Sequence, residues 1–273
     1  MNRVKVKVNG YDIEYIDEGV QSGQVIVFAH GLGGNCDQWV DQIKYFSSNY
    51  RVIAFTLQGH GDSEKPLSYD CYTIEKYADT VVELLKKLKA SSCIWVGNSM
   101  GGVIGYEVMK RNQDLINIMF TNGTTPVLEI NKFAISVIKA IDKALIKLMG
   151  LDGYIKFVVK YTSKEESAKE AILKIMIKAS KEAVIASRVA LGNYNYLDIV
   201  KNSKNRIFII RCPYDKDINM YLKKYNDVID SNSNVSVLQL ADCGHIANLE
   251  KPEEYSALID EVLNNIKEKR NAV

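Results

Sequence analysis

The segment Gly97-Asn98-Ser99-Met100-Gly101-Gly102 holds a serine with a glycine two residues to either side. It follows the apolar run Cys93–Val96 and precedes a stretch of helical period, Val103–Lys110. A strand–Gly-x-Ser-x-Gly–helix passage presents a hydroxyl at a sharp turn above the strand end, beside the unpaired N–H groups of the helix start. The glycines let neighbouring backbone pass the turn without a clash. Such a hydroxyl is a weak nucleophile until a base takes its proton, usually a histidine oriented by a carboxylate. The string alone equally suits a glycine-rich turn with a capping serine, so its partners decide the reading.

The chain has three histidines. His30 directly follows a strand-like run, His60 lies in Gly59-His60-Gly61-Asp62-Ser63, and His245 lies in Asp242-Cys243-Gly244-His245 past the last such run. Each sits where an open parallel sheet carries its site, beyond the carboxyl ends of the strands. For any one of them alone, a hydrogen-bonded structural residue is the plain alternative.

The elements that must position these groups are legible from period. Val4–Val8 and Tyr11–Asp17 alternate and are joined by Asn9-Gly10, a strong hairpin signal. Short, continuously apolar runs follow at Gln24–Ala29, Tyr50–Leu57, Cys93–Gly97, Ile116–Thr121, Arg206–Arg211 and Val235–Leu240. Strands apolar on both faces predict a buried, mostly parallel sheet. Thr73–Lys89 carries an apolar stripe at helical spacing, and Pro252 opens a final helix over Glu253–Lys269. Alternating β and α elements predict a doubly wound sheet.

The alternation stops between Val127 and Lys201, where no strand is predicted. Four helical segments are expected there: Asn131–Met149, Leu151–Tyr161, Lys164–Ser180 and Lys181–Val200. A helical cap over residues 126–201, inserted into a core formed by 1–125 and 202–273, accounts for the pattern. Residues 131–180 hold ten lysines and five acids, so 10 − 5 = +5. With Phe133, Ile135, Val137, Ile138, Ile141, Leu145, Leu148 and Met149 interleaved among Lys132, Lys139, Lys143 and Lys147, the first cap helix is amphipathic. Attraction to lipid surfaces or acidic acyl substrates is one reading. The simpler expectation is a lid whose apolar face closes on the pocket while its lysines are solvated.

Taken in order, His30-Gly31-Leu32-Gly33-Gly34, Gly59-His60-Gly61-Asp62-Ser63, the Ser99 segment, Asp215 and Asp242-Cys243-Gly244-His245 resemble the α/β-hydrolase fold superfamily, from the first hairpin to the last helix. The resemblance implies Ser99 as nucleophile and His245 as general base and then acid, with His30 bracing the oxyanion loop and His60 in a structural turn. It implies Asp215 as the triad acid, because Ile218 follows at the spacing of the family pattern. Cys212 and Asn219 depart from that pattern and keep Asp217 open as the alternative. Backbone N–H groups of Leu32 and Met100 would form the oxyanion hole. His30, Gly31, Asn98, Arg188 and Ile246 are the candidate pocket residues. Thr56 stands where the family commonly has an aspartate, which implies a rearranged hydrogen bond and not a lost activity.

A serine triad with an oxyanion hole performs acyl transfer to water, so a carboxylesterase or thioesterase of small to medium apolar acyl substrates is expected. The serine speaks against the family's haloalkane and epoxide chemistries, which use an elbow aspartate. Asn98 also makes the elbow resemble that of carbon–carbon bond hydrolases acting on ring-opened diketone acids. Those relatives have a tryptophan after the histidine and a cap arginine; here Ile246 follows His245, and Arg188 is the cap's arginine. A non-catalytic ligand-binding protein on the same fold is the third reading.

Composition sets the boundaries. The 273 residues are 47% hydrophobic and 25% charged with a net charge of +2, which argues against nucleic-acid partners. No apolar run reaches the ~18 residues of a membrane span, so no stable membrane insertion is expected. The opening residues alternate like a strand and do not read as a signal peptide, which with five dispersed cysteines predicts a reducing, cytoplasmic setting. No CxxC pair, nucleotide or flavin signature occurs, so neither metal nor cofactor is expected.

Overall fold

The computed structural model describes residues 1–271. Its main sheet has eight strands: β1 (Arg3–Val8), β2 (Tyr11–Gly19), β3 (Val25–Ala29), β4 (Arg51–Phe55), β5 (Cys93–Asn98), β6 (Ile116–Asn122), β9 (Arg206–Arg211) and β10 (Val235–Gln239). They lie in the order β1-β2-β4-β3-β5-β6-β9-β10. The β1–β2 and β2–β4 pairs are antiparallel and the others parallel. Asn9 at φ 50 and Gly10 at φ 90 turn the first hairpin, the paired positive dihedrals that a two-residue loop requires.

Alternate residues of the central strands feed two cores. Val27, Ile53, Phe55, Trp95 and Met119 face one side, against α2 (Ile74–Lys87) and α3 (Met100–Arg111). Phe28, Val52, Val96 and Phe120 face the other, against α1 (Val40–Phe46) and α11 (Pro252–Asn271). Burial on both faces explains the continuous apolar runs. Helix α2 starts where Thr73 accepts the Lys76 N–H at 3.2 Å, an N-cap that fixes its first turn.

Between β6 and β9 the chain forms the helical cap: α4 (Lys132–Val159), α5 (Glu166–Met176), α6 (Lys181–Ala190) and α7 (Leu197–Asn202). Two strands interrupt it, against the expectation of none. They are β7 (Val127–Glu129) and β8 (Asn193–Asn195), an antiparallel pair that splits the segment expected as one helix over Lys181–Val200. Three-residue strands carry too little sequence to show a period, and long-range pairing decides them. Helix α4 is broken at Gly150 (φ 72, ψ 168), between the two segments expected there. Inside the cap, Tyr154, Ile155, Ile172, Met176 and Ile185 form a third apolar cluster, which reaches Ile246 of the core. The short helices α8 (Lys216–Lys223), α9 (Asn226–Asp230) and α10 (Ala247–Glu250) complete the fold.

The apolar residues of α4 do not all close on the core. Ile146 is buried and Leu145 packs inward, but Phe133 and Leu148 are 80% and 81% exposed and Ile141 is 51% exposed. The expected lid is therefore apolar on its outer side as well.

Candidate active site

Strand β5 ends in Asn98, and α3 begins at Met100. Ser99 between them has φ 52 and ψ −116, a conformation that non-glycine residues rarely take. The neighbouring glycines are sterically required. A Cβ at Gly97 would lie 2.6 Å from the backbone of Gly101, and one at Gly101 would lie 2.1 Å from the Ala29 carbonyl oxygen. The turn lifts Ser99 out of the sheet to a half-buried position.

His245 reaches the same end of the sheet from the loop after β10. Its Nδ1 and Asp215 Oδ2 are 2.9 Å apart, with Asp215 91% buried at the start of α8. Asp217, the alternative acid, is exposed two residues later and makes no hydrogen bond to the ring. Burial by itself lowers the His245 pKa, but the Asp215 hydrogen bond and charge outweigh it, and the charges of Glu250 and Asp217 add to them. The net shift is upward, so the imidazolium is stabilised. A cavity of about 330 Å³ opens on this side, lined by Asp215, His245, Tyr214 and the cap residues Tyr161–Lys164.

A buried amide network that the sequence did not reveal joins the loops. Asn98 Nδ2 donates to the His245 carbonyl at 2.8 Å, and Asn122 Nδ2 donates to the same oxygen at 3.2 Å. The Ser99 N–H donates to the Asn122 carbonyl at 2.9 Å, so the serine and histidine backbones are tied through one residue. On the other side Gln38 Nε2 donates to Asn98 Oδ1 at 2.8 Å, while Gln38 Oε1 accepts the Gly31 N–H at 3.2 Å. Asn248 Nδ2 closes the network on the Gln38 carbonyl at 2.7 Å. These glutamine and asparagine side chains are 0–1% exposed, where an unsatisfied amide would be costly.

The glycine loop after β3 passes close to Ser99: a Cβ on Gly31 would lie 3.4 Å from Ser99 Cβ. The N–H groups of Leu32 and Met100 have no acceptor among the described residues. Unpaired donors at a loop and a helix start beside a hydroxyl can stabilise a developing oxyanion. The other expected pocket residues are placed differently. His30 is fully buried, with Nδ1 donating to the Gly31 carbonyl at 2.7 Å and Nε2 accepting the Leu57 N–H at 3.0 Å. Both ring nitrogens are taken up by backbone, so the ring braces the loop. Ile246 is buried against the cap cluster. Arg188 pairs within the cap, Nε with Asp142 at 3.2 Å and an Nη with the Tyr154 hydroxyl at 3.2 Å. A separate concavity of about 550 Å³ lies at the far end of α3, where Arg111 is already paired with Glu107 and Asp79.

The departure at Thr56 has a structural counterpart. Thr56 Oγ1 donates to Glu14 Oε2 at 2.9 Å and accepts the Cys36 N–H at 3.1 Å. Glu14, 4% exposed on the neighbouring β2, brings a carboxylate to this turn from another strand. The cysteines beside the site are buried. Contact with Cys243 and burial push the Cys212 thiol far up, and burial raises Cys36 to about 12, so both are protonated and poor nucleophiles.

Burial lowers His30 to about 3, with His60 adding repulsion, and lowers His60 to about 4. Both stay neutral in the native state while the unfolded chain charges them below the ordinary value of 6.5. Their stabilisation is thus complete above pH 6.5 and is lost as pH falls towards 4. Between pH 7 and pH 5 each should remove roughly 2 kcal/mol, a loss that urea melts at the two pH values would register.

A family model described as the alpha/beta hydrolase fold matches residues 24–145. By sequence the chain is 29% identical over 130 residues to Epoxide hydrolase 3 of Mus musculus, covering 48% of this chain and 35% of that protein. The chain thus spans about a third of the length of the curated relatives it matches. By structure it is similar to a thermophilic esterase from Thermogutta terrifontis, with TM-score 0.84 and 18% identity over 97% of this chain and 99% of that one. It is also similar to the enol-lactonase from Burkholderia xenovorans LB400, with TM-score 0.82 and 21% identity over 96% and 100% of the two chains.

Proposed function

Because the chain has the fold of known esterases and a family model of the alpha/beta hydrolase fold matches residues 24–145, we propose that it is a serine hydrolase cleaving carboxylic esters or thioesters through an acyl-enzyme. The observation that carries this reading is the Ser99 turn at φ 52, tied through Asn98 and Asn122 to a histidine held by a buried aspartate. Ser99 Oγ attacks the carbonyl carbon while His245 Nε2 takes its proton, and Asp215 holds the imidazolium. The Leu32 and Met100 N–H groups bind the oxyanion as it forms. Collapse returns the proton to the leaving alcohol or thiol; water, activated by the same histidine, then releases the acid.

The epoxide chemistry named for the curated relatives does not transfer readily to this turn. A serine opening an epoxide would be left as a dialkyl ether, with no carbonyl for water to attack. Ester attack leaves a hydrolysable acyl group. The carbon–carbon alternative needs a cap cation for a carboxylate, and Arg188 is already paired with Asp142.

The test is a p-nitrophenyl ester series from acetate to decanoate, run beside labelling with an alkyl fluorophosphonate. Turnover with an optimum chain length, and an adduct mapped to Ser99, would bear the reading out. Neither turnover nor adduct would overturn it and favour ligand binding without chemistry.

A further inference from the structure

We propose that the outer face of α4 docks on an anionic phospholipid surface. On this helix Phe133, Val137, Ile141, Ala144 and Leu148 follow the spacing i, i+4, i+8, i+11, i+15 and form one ridge, and all are exposed. A ridge ending in a phenylalanine and a leucine about four-fifths exposed is costly in water. Nothing in the chain's described residues covers it.

The charge beside the ridge selects the occupant. Lys143 and Lys147 fall on one flank of it at helical spacing, with Lys132 and Lys139 further round the helix. Lys139 and Lys143 hold their ammonium groups 5.4 and 5.3 Å from the Tyr69 ring. Below them Lys143, Lys147 and Lys181 border a cavity of about 360 Å³ with Tyr69, Ile146 and Ile185. The acid of this stretch, Asp142, is buried and paired with Arg188, so it offers no charge at the surface. An apolar ridge edged by cations is the signature of a helix lying in a membrane interface, with its ridge among acyl chains and its lysines at phosphates. A second copy suits the face poorly, since it would oppose two segments each carrying the +5 counted over residues 131–180. No helix among the described residues is long and apolar enough to cross a membrane, so the contact lies on the surface.

The docking is independent of Ser99 chemistry and is read by binding, not turnover. The full chain is sedimented with vesicles of phosphatidylcholine alone, or with about a third phosphatidylglycerol, and its solution mass is measured without lipid. Wild type should partition onto the anionic vesicles about tenfold more than onto neutral ones, and less at high salt. F133S/L148S and K143E/K147E should each lose that partition by about tenfold or more, while p-nitrophenyl acetate hydrolysis and melting temperature stay at wild-type values. Three results would each overturn the proposal: no partition by wild type, partition unchanged in both variants, or a wild-type dimer that F133S/L148S makes monomeric. The last would assign the ridge to a second copy.

Discussion

Replacing Ser99 by alanine should lower ester kcat by roughly a hundred-thousand- to a million-fold, with substrate affinity and melting temperature unchanged. The size of the loss follows from the unit the residue belongs to. In the proposed reaction, removing Oγ leaves no acyl-enzyme to form and gives the His245 base no proton to take. What survives is the donor pair and substrate binding, which retain a small acceleration over water. The unchanged stability follows from the local structure. Ser99 Oγ makes no hydrogen bond among the described residues, and the backbone bonds of Ser99 to Asn122 and Gly102 do not involve it. Alanine and serine pay a similar cost at φ 52. Steady-state kinetics beside a thermal melt check both halves. A Ser99→Ala enzyme retaining a tenth of wild-type turnover would move the nucleophile elsewhere.

Asp215→Asn should cost about ten-thousand-fold in kcat, whereas Asp217→Asn should stay within a few-fold of wild type. The amide at 215 either donates to Nδ1, which turns the imidazole to the wrong tautomer, or leaves the imidazolium without its counter-charge. The pH profile adds a signed test. Asp215 raises the His245 pKa against the opposing effect of burial. The base must be neutral to act, so the acid limb of kcat/KM should lie above the ordinary histidine value of 6.5 in wild type. Residual activity of Asp215→Asn should show that limb at lower pH than wild type, because burial is then opposed only by the charges of Glu250 and Asp217. Asp217 is the weakest of the charges acting on His245, so its substitution should move the limb down only slightly. A large loss in Asp217→Asn with little in Asp215→Asn would reverse the assignment of the acid.

Much of this arrangement is legible in the order of residues, for identifiable reasons. The central strands announce themselves because burial on both faces forces short apolar runs, the first two by alternation about Asn9-Gly10, and the elbow because only glycine tolerates backbone at 2.1–2.6 Å from a Cβ position. What stays hidden is whatever depends on the partner across a long loop. Gln38 and Asn248, 210 positions apart, are ordinary polar residues until the fold lays them on one buried network. The β7–β8 pair is too short to carry a pattern. Helical period shows that α4 has apolar stripes, but not which of them faces outward. Ile146 turns in while Phe133 and Leu148 turn out, and only the docked cap distinguishes them.

The contact between Thr56 and Glu14 bears on how this sequence can change. The hydroxyl and carboxylate, 2.9 Å apart, share a task across two strands, so neither position is free to vary alone. Thr56→Asp in this background sets two carboxylates against each other in a buried turn and should destabilise the fold. The same change beside Glu14→Thr restores one carboxylate and one hydroxyl with their strands exchanged, and should recover most of the loss. The pair is thus epistatic with sign reversal: each single step goes downhill and the double step returns. A lineage carrying threonine and glutamate here is separated by a fitness valley from one carrying aspartate, and the two residues should be inherited together.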